Sequence, residues 1–67
     1  PGTGTPEPGG MLPRELLRAV RQIVGQVDLV GMDVVEVCPP YDSAEVTAML
    51  AHRCVLEAIS ALAAKKG

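Results

Sequence analysis

The stretch Val27-Asp28-Leu29-Val30-Gly31-Met32-Asp33-Val34-Val35-Glu36-Val37-Cys38, closed by Pro39-Pro40, decides the fold. It is rich in β-branched side chains, apolar nearly throughout, and only weakly alternating. That pattern predicts a strand over 28–38 covered on both faces, as in a parallel sheet. Pro39-Pro40 ends it, because proline donates nothing to a ladder. Asp33 and Glu36 interrupt the run, and on a regular strand they would face opposite sides. A single strand makes no sheet, since both its edges present unpaired N–H and C=O groups. The missing strands are therefore expected from an upstream part of the chain or from another molecule.

Helices are expected on either side. Over 13–24, Leu12, Leu16, Leu17, Val20, Ile23 and Val24 recur at helical spacing, with Arg14, Arg18 and Arg21 toward the other face. Pro13 suits the first helical position, where its missing N–H costs nothing. Glu15 can then reach back to an unpaired amide, whereas Leu12 is a poor cap. Gly25 is the expected stop. Over 43–65 a second helix is expected, with Asp42 as N-cap and Glu45 completing a capping box. Val46, Met49, Leu50, Val55, Leu56, Ile59 and Leu62 would form its apolar face. Lys65 and Lys66 suit the negative end of the helix dipole, and Gly67 follows as a stop.

The leader, Pro-Gly-Thr-Gly-Thr-Pro-Glu-Pro-Gly-Gly over 1–10, has neither periodicity and reads as irregular backbone. The order loop, helix, strand, helix is that of the tail of an alternating α/β protein.

Size limits the function. With 67 residues, one domain is the ceiling, and a chain this short buries only about 60% of its unfolded surface. Hydrophobic residues make up 48% of the chain, yet it has no Trp, no Phe and one Tyr, so apolar surface exceeds the bulk available to cover it. The net charge of −2 and absence of a basic stripe give nucleic-acid binding no electrostatic support. No apolar run approaches the ~20 residues of a membrane span, so no membrane partner is expected. Cys38 and Cys54 match neither a redox nor a zinc spacing and are expected as two small buried thiols in a reducing compartment.

Two motifs go beyond generic α/β. They are Gly2-Thr3-Gly4-Thr5-Pro6-Glu7-Pro8-Gly9-Gly10 and Gly31-Met32-Asp33-Val34-Val35-Glu36-Val37-Cys38-Pro39-Pro40-Tyr41-Asp42. In this order and separation they resemble the C-terminal region of the ureohydrolase family of arginases, agmatinases and related guanidino-acid hydrolases. The likeness runs through Thr47-Ala48. Pro-Glu-Pro-Gly-Gly and Pro-Pro-Tyr-Asp are closer to the agmatinase and guanidinobutyrase forms than to those of arginases. Cys38 stands where agmatinase-like sequences often have Ser, and Leu12 where Thr or Ser is common.

The resemblance implies that residues 1–67 are a C-terminal fragment of a three-layer α/β/α parallel-sheet domain, with 1–12 as an active-site loop. It implies a binuclear Mn2+ centre at the C-terminal edge of the strands, where open α/β sheets bind ligands. Such metals make hydroxide available near neutral pH, and it attacks a guanidinium carbon to release urea. The family's His and Asp metal ligands match no residue here, so neither a metal ligand nor a catalytic residue is expected in this chain.

Glu36 matches the glutamate that binds the substrate guanidinium, and Thr5 a threonine of the adjoining loop. A carboxylate accepts two parallel N–H bonds from a planar guanidinium, which fixes the plane as well as the charge. Without the resemblance, Glu36 reads as half of a salt bridge and Thr5 as a turn hydroxyl. His52 reads as a surface or core residue, Asp33 as structural, and Tyr41 and Asp42 as turn and cap.

The expected partners are a small guanidino substrate of the agmatine type, the remainder of the parent domain, and further copies of the parent in a homo-oligomer. The expected compartment is the cytoplasm, or the mitochondrion should an upstream targeting segment have been removed. The competing reading is a small non-enzymatic helical module that uses its apolar surplus for self-association or interaction.

Overall fold

The computed structural model describes residues 1–66, which form two helices joined by a long irregular connection. Helix α1 spans Pro13–Gln26 and helix α2 spans Val46–Lys66, with a single 3-10 turn over Pro39–Tyr41 between them. The two helices pack against each other as a hairpin.

Helix α1 starts as its sequence dictates. Pro13 occupies the first turn, and Glu15 Oε1 accepts the Leu12 N–H at 2.9 Å, the reach-back expected of an acidic third residue. Leu12 supplies no side-chain cap. Gly25 does not stop the helix, which runs one residue further and closes where the Val27 N–H donates to Ile23 O at 3.1 Å. The Lys65 ammonium takes over the stop, donating to Val24 O and Val27 O across the hairpin. A cation suits this end, where carbonyls lack helical partners.

The strand expected over 28–38 is not formed. Residues 28–38 run as irregular chain, and Val30 is 97% and Val35 68% exposed. A both-face-buried strand needs ladder partners and cover, and among the described residues no second strand exists to supply them. Glu36, with φ at 69°, also breaks the extended path, so Asp33 and Glu36 do not occupy opposite faces of a ribbon.

Helix α2 starts at Val46, three residues later than expected. Ala44 and Glu45 take left-handed backbone, with φ of 52° and 62°, which excludes them from a right-handed first turn. Asp42 therefore caps from a distance, and its carboxylate accepts the N–H groups of Thr47 and Ala48, each at 3.1 Å.

The packed face of α2 keeps Leu62 of the expected face against the core but otherwise differs from it. The buried residues are Cys54, Glu57, Ala58 and Ala61, packed with Val24 of α1, while Val46, Met49, Val55, Leu56 and Ile59 stay exposed. Small side chains let the two backbones approach, so α2 turns its alanine stripe to α1 and leaves its bulkier side uncovered. Arg21 and Arg53 both pair with the buried Glu57 carboxylate, at 2.9 and 3.1 Å.

Helix α2 is long and apolar enough to cross a bilayer by length and composition, with a mean hydropathy of 1.4. That corrects the expectation that no segment reaches spanning length. Its middle carries Arg53 and Glu57, and charges are costly at that depth of a bilayer.

Candidate functional site

Gly2 meets Cys38, Asp42 and Thr47, all distant from it in sequence, where the leader crosses the N-terminus of α2. The Gly2 N–H donates to Thr47 Oγ1 at 2.9 Å. The Cys38 N–H donates to Gly2 O at 2.7 Å. The backbone of Gly2 thus bridges the start of α2 and the end of the apolar segment. Asp42 supports the bridge from below by fixing the Thr47 amide, and it also accepts the Ser43 N–H at 3.0 Å.

Gly2 is buried, and its lack of a side chain is required. A Cβ there would lie 2.6 Å from Asp42 Cγ and 2.7 Å from Thr47 Cβ. Burial presses the Asp42 pKa upward, but hydrogen bonds from the Thr47 amide and hydroxyl and from the Ala48 and Ser43 amides outweigh it. The carboxyl is held below its ordinary value. A carboxylate accepting several N–H groups at a helix start is stabilised in its charged form.

The residues singled out from sequence fall around this junction. Glu36 lies two positions before Cys38, exposed, on left-handed backbone. Thr5 lies three positions after Gly2 in the bend of the leader and is also exposed. The structure ties their two segments together through Gly2 and Cys38, but no hydrogen bond joins Thr5 to Glu36 among the described residues. Tyr41 is exposed in the 3-10 turn, Asp33 is exposed in the irregular segment, and His52 is exposed on α2. Cys38 is half-buried and Cys54 buried, both as free thiols.

Metal-ligating side chains do not gather. Among the described residues no group of three or more His, Cys, Asp or Glu is placed to hold an ion. The Asp42 carboxylate is taken up by amides and that of Glu57 by two arginines, while His52 stands alone on the surface. Among the described residues this donor set does not fit a binuclear manganese centre.

The Gly2–Thr47–Cys38 bridge was not anticipated. Gly2 and Thr47 both lie in the motif-bearing stretches, but hydrogen bonds across 45 residues leave no periodic trace in a sequence. The Glu57 pairs had one local signal, the four-residue spacing from Arg53.

The Arginase family model matches residues 1–61. Among curated proteins, the agmatinase of Chromobacterium violaceum is 44% identical over 98% of this chain and 20% of its own length. The agmatinase of Edwardsiella ictaluri is 50% identical over 98% of this chain and 21% of its own. That of Escherichia coli is 48% identical over all of this chain and 22% of its own. The chain thus spans about a fifth of the length of the curated relatives it matches. No solved structure matches it.

Proposed function

The chain belongs to the Arginase family, and on that premise we propose that it is the C-terminal segment of a manganese-dependent ureohydrolase that cleaves an agmatine-like guanidino compound to urea and an amine. Identity of 44–50% to agmatinases across nearly every residue carries this reading. The junction at Gly2 supports it, because it ties the leader that carries Thr5 to the end of the segment that carries Glu36.

In this proposal Glu36 binds the substrate. Its carboxylate accepts two parallel N–H bonds from the guanidinium, neutralises it and fixes its plane. A fixed plane aims the guanidinium carbon at its attacker and removes rotational freedom before the reaction. Glu36 is exposed in the free chain, and the proposal assigns the cover over it to the remainder of the parent domain. Thr5 adds a hydroxyl to the same edge. The proposal assigns the metal ligands to other parts of the parent domain, since no group of donors gathers among the described residues.

The family implies an α/β fold. In the proposed parent domain, residues 28–38 gain the neighbouring strands that they lack here, which covers Val30, Val34 and Val35. The proposal extends to a homo-oligomeric cytoplasmic enzyme without nucleic-acid or membrane partners, in keeping with the acidic balance of the chain.

The test is Glu36→Gln in the ureohydrolase that carries this segment. Glutamine is isosteric but lacks the charge. Turnover of agmatine should fall by roughly 100-fold or more, the scale of losing a charged positioning contact, while manganese content stays at the wild-type level. Unchanged kinetics would remove Glu36 from the site.

A second reading has one observation in its favour. Val46, Met49, Val55, Leu56 and Ile59 leave an apolar side of α2 uncovered, as a non-enzymatic self-association module would require. The parent-domain proposal accounts for the same surface, because the rest of the domain would cover it.

A further inference from the structure

We propose that Thr47, acting through Gly2, is a positioning residue that latches the Thr5 loop against the Glu36 segment. The inference rests on the ureohydrolase reading and extends it to residues that do not touch the substrate.

The latch is a continuous chain of hydrogen bonds. Asp42 takes the Thr47 amide with both carboxylate oxygens, at 3.1 Å each. That holds the Thr47 side chain on the first turn of α2, where its hydroxyl oxygen accepts the Gly2 N–H at 2.9 Å. Gly2 in turn receives the Cys38 N–H on its carbonyl at 2.7 Å. One rigid helix end thereby fixes the leader three residues before Thr5 and the apolar segment two residues after Glu36.

The contact is built for a glycine. Asp42 and Thr47 crowd Gly2 so closely that any Cβ would fall inside van der Waals distance of both. Such an approach brings the Gly2 backbone within hydrogen-bonding reach of the hydroxyl. No other leader residue has a hydrogen bond to the remainder of the chain beyond α1 among the described residues. Losing the latch therefore frees the loop without removing a group from the reaction.

A freed loop spends only part of its time in the binding arrangement, and apparent affinity falls by that fraction. Once substrate is bound the site is complete, so turnover is preserved. Thr47→Val keeps the shape and deletes the acceptor. In the full-length enzyme we expect KM for agmatine to rise roughly ten-fold, the scale of one lost hydrogen bond, with kcat within about two-fold of wild type. Thr47→Ser restores the hydroxyl and should restore KM. Gly2→Ala keeps the hydroxyl, pushes the leader away, and should raise KM like Thr47→Val. Amide hydrogen exchange at Cys38 should accelerate in Thr47→Val and Gly2→Ala alone.

A purely structural role for Thr47 gives the opposite split: fewer active molecules, lower apparent kcat and unchanged KM. That result overturns the proposal, as does a raised KM in Thr47→Ser or wild-type KM in Gly2→Ala. Should Thr47→Val fail to fold, Gly2→Ala and Thr47→Ser decide the matter between them. Unchanged exchange at Cys38 with an active wild-type enzyme overturns the latch and leaves the ureohydrolase reading standing. A wild-type parent that hydrolyses no guanidino compound overturns that reading, and the positioning role with it.

Discussion

Arg21→Ala should destabilise the helical hairpin more than Glu57→Leu, although Glu57 is the residue at the centre of the ion pairs. The reason lies in the unequal burial of the partners. The Glu57 side chain is 9% exposed, whereas Arg21 is 64% and Arg53 56% exposed. Removing Arg21 strips the carboxylate of its only partner on α1 and leaves it on the packed face with Arg53 alone. Breaking a fully buried pair costs about 3–5 kcal/mol, and an exposed pair is worth ~0–1 kcal/mol. With one wet and one dry partner, the cost of Arg21→Ala should be about 1–2 kcal/mol, between these limits.

Glu57→Leu removes the desolvated charge itself. Both arginines then swing into water, and leucine adds apolar area beside Val24, Ala58 and Ala61. The net change should lie within about 1 kcal/mol of zero. In the Glu57→Leu background Arg21→Ala should cost nearly nothing, so the coupling equals the single-mutant loss. Thermal unfolding of the chain followed by helical circular dichroism reads these values, at about 4–8 °C per kcal/mol for a domain of this size. An Arg21→Ala penalty of the same size in both backgrounds would refute the reasoning, because the arginine would then act by packing alone.

Two further outcomes follow from the structure. Asp42 has a depressed pKa in the folded chain, so its contribution is present above its unfolded value and is lost as pH falls through the folded one. Protection of the Thr47 and Ala48 amides from hydrogen exchange should thus hold at neutral pH and fade below about pH 4; an Asp42→Asn variant that fades at the same pH would exclude this carboxylate as the cause. The isolated 67-residue chain should associate as its concentration rises, since Val30, Val35, Met49 and Ile59 are all exposed. Sedimentation showing a monomer over the whole range would contradict the view that this surface is normally covered.

Much of the molecule was legible in the residues. Pro13 and Glu15 placed the start of α1 correctly, because first-turn chemistry is local and needs no tertiary partner. Asp42 was identified as a cap, but its register was missed. The left-handed backbone at Ala44 and Glu45, neither of them glycine, is not signalled by residue type. Apart from Leu62, the packed face of α2 was misjudged for a related reason. Hydrophobic periodicity ranks side chains by size, whereas close helix approach selected the small Ala58 and Ala61.

The candidate site divides in the same way. Thr5 and Glu36 came from motif resemblance, and nothing in their own periodicity marked them. Gly2 and Thr47 came only from contacts.

By itself, then, the sequence determined two helices, an apolar segment between them, and kinship through two ordered motifs. These are local or compositional properties, encoded where they act. The tertiary structure decided that residues 28–38 remain irregular here, because a strand is a property of its neighbours and ladder bonds cannot close within one ribbon. It also decided that Glu57 faces α1 between two arginines, and that Gly2 locks onto Thr47. Those contacts join residues tens of positions apart, and only the packing of α1 and α2 and the path of the leader across α2 bring them within hydrogen-bonding reach.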